Sequence, residues 1–308
     1  MSGNNRMKSI DVTKKVIQQL KDLKDLFTSK IKSNDQVTLQ TPSVEKTMQV
    51  KSNISTQQST SSTTSKNPII NIIDRSTLLN DADHALMVEA CKIQLEKHVA
   101  PLWNKGPWTI VEDQPDTVGF PIVILDDPDQ AGVLGYHTKS PGGKVWARVF
   151  MKPVTSRGGS MTHGSLSVSA VLSHEIIEAY CNPNINIWAR RSDGTLVAHE
   201  ACDPVENDSY DVTTANGTKV TVSNFVLPSW FDPYPSPGTQ FDYMNILNRP
   251  FTMSSKGYIV TLDPKTGGVK NVFGSKEAED LHTLRQDPHP AARSHRMSPG
   301  PEIIQKKE

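Results

Sequence analysis

The segment 173–180 reads SHEIIEAY and sets a histidine and two glutamates at helical spacing. His174 and Glu178 are i and i+4, one turn apart on one helix face. An imidazole and a carboxylate so placed can reach one metal ion. Glu175 follows His174 directly, beside such an ion, where it can take a proton from water. This is the arrangement of HExxH metalloproteases with glutamate in place of the second histidine. The exchange adds a negative charge and suits Zn²⁺, with a harder cation such as Ca²⁺ as the alternative.

HExxE alone is a weak pattern, because His and Glu are common on solvated helix faces. The rest of the helix is apolar, with Val168, Ala170, Val171, Leu172, Ile176, Ile177 and Ala179. A core helix is therefore expected, and charges buried on it demand partners. A third ligand must come from elsewhere, and 198–211, AHEACDPVENDSYD, is the best source. Glu200 ranks first as that ligand and Asp203 second, with Glu206 and His199 supporting the ligands from behind. The plainer reading of this stretch is a solvated acidic loop or a structural Ca²⁺ loop.

These residues need elements to position them. The body is expected over 68–285. PIINII opens it, and a helix follows from about Asp81, capped by Asn80 or Asp81. Strands are expected at 108–112, 120–125, 132–137 and 144–151, separated by turn clusters at 126–130 and 140–143. A Gly/Ser loop at 155–165 leads into the HExxE helix at 166–181, which Pro183 ends. Beyond 186 the pattern is β and loop. Strands beside a central helix, then irregular β, point to an α+β fold.

The 308 residues carry 33 basic and 33 acidic side chains, a formal net charge of zero. The zero hides two parts. Residues 1–66 hold 11 Lys and Arg against 5 Asp and Glu and carry +6; residues 67–308 hold 22 against 28 and carry −6. A globally basic nucleic-acid binder and an acidic disordered chain are both excluded. Hydrophobic residues make up 36%, below the roughly 45–50%, counting glycine, of packed chains, so part of the chain is expected to stay unpacked. Residues 1–32 read as an amphipathic helical arm with Val12, Val16, Leu20, Leu23, Phe27 and Ile31 on one face. Residues 33–67 read as a disordered Ser/Thr/Gln-rich linker, and 286–308, rich in Pro and charge, as a disordered tail.

No run of ~18 apolar residues is present, so no membrane span is expected. The first residues lack the apolar stretch of a signal peptide, and cytosolic synthesis is the default. Cys91, Cys181 and Cys202 are too scattered for a disulfide framework and are expected as buried free thiols. Phe27 is the only aromatic residue in 1–66, so stacking platforms for nucleic acid are not indicated there. The five tryptophans could line a sugar groove but are more simply core.

An ordered series of motifs resembles a family of uncharacterised proteins from tailed-phage genomes and environmental bacteria. The series is ILDDPDQAGVLGYH (124–137), KVWARVF (144–150), LSHEIIEAYCNPNINIW (172–188), HEACDPVENDSY (199–210), VSNFVLPSWFDP (222–233) and Phe251 with the Gly-Tyr pair at 257–258. The resemblance spans about 92–275 and implies a zincin-like body in which the two acidic segments share one site. Such relatives usually carry Asp-Pro where this chain has Asn182-Pro183. Two functions follow as expectations. One is a zinc-dependent, peptidase-like hydrolase acting on a peptide or protein, with His174, Glu178 and Glu200 or Asp203 as ligands and Glu175 as base. The other is a non-enzymatic phage structural or assembly protein, docked through residues 1–32. A virion-borne enzyme would satisfy both, made in the host cytoplasm.

Overall fold

The computed structural model describes residues 68–284, apart from 107, 130–132 and 141. The arm, linker and tail expected at 1–32, 33–67 and 286–308 lie outside the described residues.

Apolar runs rich in Ile and Val build a five-stranded sheet. Its strands are β1 (Ile69–Asp74), β2 (Thr109–Glu112), β3 (Phe120–Leu125), β4 (Gly135–Lys139) and β5 (Val145–Phe150), in the order β2-β1-β3-β5-β4. β1, β2, β3 and β5 run parallel, and β4 returns antiparallel along β5 at the edge. Nearly every residue of β1, β3 and β5 is buried, as parallel strands covered on both faces require. β5 stops at Phe150, one residue short of the expectation. Met151 opens the short helix α3 (Met151–Thr155), where Pro153 cannot extend a strand ladder.

Helix α1 (Asp81–Ile93) starts at Asn80, whose side chain accepts the Asp83 N–H at 2.9 Å. It continues through a wide π-helical turn, Gln94–Val99, into α2 (Ala100–Trp103). Helix α4 (Val168–Cys181) is capped by Ser167, which accepts the Ala170 N–H at 3.3 Å, so it begins two residues later than expected. Every residue of α4 except Val171 is buried. It packs against β3, β4 and β5, against α1, and against the later strand at Lys219–Ser223.

The later chain is mostly antiparallel. β6 (Trp188–Arg190), β7 (Leu196–Ala198), β10 (Tyr258–Leu262) and β11 (Val269–Phe273) form a sheet ordered β11-β10-β7-β6. β8 (Ser209–Thr213) and β9 (Lys219–Ser223) pair as a hairpin, and α5 (Lys276–Leu284) follows β11. The end of the segment expected as an acidic loop is therefore strand: Ser209, Tyr210 and Asp211 pair with β9. The fold is mixed α+β, with several sheets and few helices. Trp146 and Trp230 are fully buried, Trp103 nearly so, and Trp108 and Trp188 pack at the edge of core clusters. The core reading of the tryptophans fits this placement; a sugar groove does not. Among the described residues, no helix is long and apolar enough to cross a membrane.

Candidate metal centre

Helix α4 presents His174, Glu175 and Glu178 inside the body, with residue exposures of 8, 2 and 0%. Burial of this kind is costly for charges unless they are paired or ligated. Two neighbouring segments supply what they face.

The first is 199–206. It is held by backbone hydrogen bonds, His199 N–H to the Ile187 carbonyl at 3.0 Å and Val226 N–H to the Ala201 carbonyl at 2.7 Å. A short 3₁₀ turn, Asp203–Val205, follows. Gly257 presses on that turn: a Cβ there would lie 2.1 Å from the Pro204 carbonyl oxygen. Gly257 of the motif series thus lies directly against the acidic segment. Asp203 Oδ1 comes within 3.4 Å of His174 Nε2, and Glu178 Oε1 within 3.2 Å of the same nitrogen. Cys202 adds its N–H to Glu178 Oε1 at 3.3 Å. Its sulfur falls in a potential ligand group with His174 and Glu178.

The second is strand β4, which brings in His137, a residue the local pattern did not single out. His137 Nδ1 lies 3.3 Å from both Glu175 Oε2 and Glu178 Oε2, and Nε2 lies 3.5 Å from Glu200 Oε2. Gly135 makes this approach possible. A Cβ there would meet Val171 Cγ1 at 2.7 Å and Glu175 Oε1 at 3.1 Å. Only a glycine lets α4 settle this closely on the strand.

The ring nitrogens mark where a cation would sit. Neither His137 Nε2 nor His174 Nε2 has a hydrogen-bond partner among the described residues, although carboxylate oxygens stand 3.2–3.5 Å away. Four ligands about 2.0–2.1 Å from a tetrahedral Zn²⁺ stand roughly 3.4 Å from each other. The observed N···O spacings match such edges. The cluster is thus fit for a divalent ion, with His174, Glu178 and Cys202 as one group of possible ligands and His137, Glu178 and Glu200 as another, and with Asp203 approaching the first through His174.

Electrostatics agree. Burial by itself would pull the His174 pKa down, but Glu178, Asp203 and Glu175 outweigh it and hold the imidazole well above its ordinary value. Burial opposes protonation of His137 too, yet Glu200, Glu175 and Glu178 raise it to about 10. Both sites thus attract positive charge strongly, whether a proton or a metal.

The other candidates have different places. His199 stacks on Phe231 at 3.9 Å and meets the edge of Trp103 at 5.4 Å; burial, with Lys105, lowers it to about 4. Glu206 donates its backbone N–H to the Asp203 carbonyl at 3.2 Å and belongs to neither ligand group. Asn182 does structural work: its N–H closes the helix on the Glu178 carbonyl at 2.8 Å, and its Oδ1 accepts the Asn186 N–H at 3.2 Å. Cys91, Cys181 and Cys202 are free and buried.

No protein-family model, curated protein or solved structure matches the chain.

Proposed function

We propose that the protein is a metal-dependent hydrolase of the zincin kind, with Zn²⁺ held by His174, Glu178 and Asp203. The observation that carries this reading is the approach of Glu178 Oε1 and Asp203 Oδ1 to within 3.4 Å of His174 Nε2. An antiparallel edge strand, β4, beside that helix supports a zincin-like body, as does the resemblance of the sequence motifs to the phage and environmental family.

A divalent ion there would polarise a carbonyl and acidify water. Glu175 supplies the base. Its carboxylate is fixed by His137 at 3.3 Å, and it sits one residue from the ligand His174. At His174 the ligand set meets solvent, with 11% of that side chain exposed against 0% for Glu178 and 2% for Asp203. A peptide or protein carbonyl would therefore arrive from the His174 side.

The test uses the full-length protein loaded with Zn²⁺ and a fluorogenic peptide library. Cleavage that falls by about 10²–10⁴ in Glu175→Gln, with zinc content unchanged, supports the assignment. Equal cleavage in that variant, or no cleavage by the zinc-loaded protein, removes the hydrolase reading. The second outcome would favour a non-enzymatic phage structural or assembly role on the same scaffold.

A further inference from the structure

We infer that the cluster is built for two divalent cations, with Glu178 bridging them. This rests on the reading of the cluster as a metal centre and adds a second ion to it.

The carboxylate of Glu178 points its two oxygens at different imidazoles. Oε1 lies 3.2 Å from His174 Nε2, and Oε2 lies 3.3 Å from His137 Nδ1. A carboxylate serving one ion has no need of two histidines on opposite oxygens. Two ligand groups meet at this residue: His174, Glu178 and Cys202 on one side, His137, Glu178 and Glu200 on the other. In each group, one ligand atom from every member lies within 4.8 Å of the others. Asp203 joins the first group through His174.

His137 has the arrangement expected of a ligand. Its Nδ1 lies 3.3 Å from both Glu175 Oε2 and Glu178 Oε2, and its Nε2 lies 3.5 Å from Glu200 Oε2, so three carboxylates hold the ring. Metal-bound histidines commonly donate their other ring N–H to a carboxylate in this way. His137 is fully buried and its Nε2 has no hydrogen-bond partner among the described residues. A second-site ion bound by His137 and Glu200 gives that nitrogen its partner.

Charge points the same way. Glu175, Glu178, Glu200 and Asp203 are all buried, and when ionised they carry four negative charges. One divalent ion offsets half of that; two offset all of it. Paired metals sharing a carboxylate are a recurrent hydrolytic device, in which one ion positions the substrate and its neighbour activates water.

The measurement is calorimetric titration of metal-free, full-length protein with Zn²⁺, checked by elemental analysis after desalting. The wild type is expected to take up about two equivalents, and His137→Gln and Glu200→Gln about one each. Far-UV circular dichroism of each variant guards against loss of fold. Mn²⁺-loaded wild type should also give the electron paramagnetic resonance signature of a coupled pair. One equivalent in the wild type, or two retained in folded His137→Gln, overturns the second site and leaves the single-ion hydrolase standing. No uptake at all overturns both.

Discussion

Asp203 and Cys202 are adjacent; Cys202 groups with His174 and Glu178, and Asp203 approaches His174, so their chemistry decides which is the ligand. Burial, then Glu178 and Cys181, push the Cys202 thiol well above its usual value. A thiol in that setting must lose a proton beside existing negative charge before it can bind. The Asp203 carboxylate has Oδ1 3.4 Å from His174 Nε2. Asp203→Asn is therefore expected to weaken Zn²⁺ binding by about tenfold or more, while Cys202→Ser leaves it nearly unchanged. Competition against a chromophoric chelator measures both. The Co²⁺-loaded protein should lack the near-ultraviolet band of a cobalt thiolate. The reverse pattern of affinities, or a strong band, would put sulfur in the ligand set.

At the scale of elements, the site exists because two close approaches bring α4 and the acidic segment onto their neighbours. Gly135 and Gly257 permit them. Gly135→Ala would force Val171 or the strand to move, since the added methyl would sit 2.7 Å from Val171 Cγ1 and 3.1 Å from both Arg148 O and Glu175 Oε1. Overpacking of this kind costs about 1–3 kcal/mol. The expected outcome is a lower melting temperature together with weaker metal binding, because β4 and its His137 are pushed off the helix. An unchanged melt and unchanged affinity would mean that the helix–strand contact is looser than its geometry implies.

The same elements show what could be read from sequence. His174, Glu175 and Glu178 were legible because their relation is local, set by the helical repeat within one apolar segment. The strands β2, β3 and β5 were legible as short β-branched runs. His137 was not, since its partner Glu175 lies 38 residues away. Its place depends on β4 pairing antiparallel with β5, His137 opposite Ala147. The available signal was a histidine inside the Leu-Gly-Tyr-His string, two residues after a glycine tight against the helix. β8 was hidden for another reason. Its SYDVT stretch, exposed or half-buried apart from Val212, looks like the acidic loop before it until β9 pairs with it. Glu200 and Asp203 were both within reach of sequence reasoning as candidates. Which histidine each one faces is a property of the fold.

For the molecule as a whole, the −6 carried by residues 67–308 is unevenly spread. Four of its acids converge in the core around two imidazoles, where their mutual repulsion opposes folding. The protein's stability should therefore depend on the ion content of this site. Ions that bind the folded chain and not the unfolded one add about 2.7 kcal/mol at a hundredfold excess over Kd. With about 2–4 °C of melting temperature per kcal/mol for domains of roughly 150–250 residues, removing the metal should lower the melt by roughly 5–10 °C. Scanning calorimetry of full-length protein, before and after dialysis against a strong chelator, measures the fall. Restoring Zn²⁺ should reverse it in the wild type and much less in His174→Gln, which loses the ligand between Glu178 and Asp203. Identical melts with and without chelator would show that the buried carboxylates are balanced by protons alone, and that no ion contributes to the folded state.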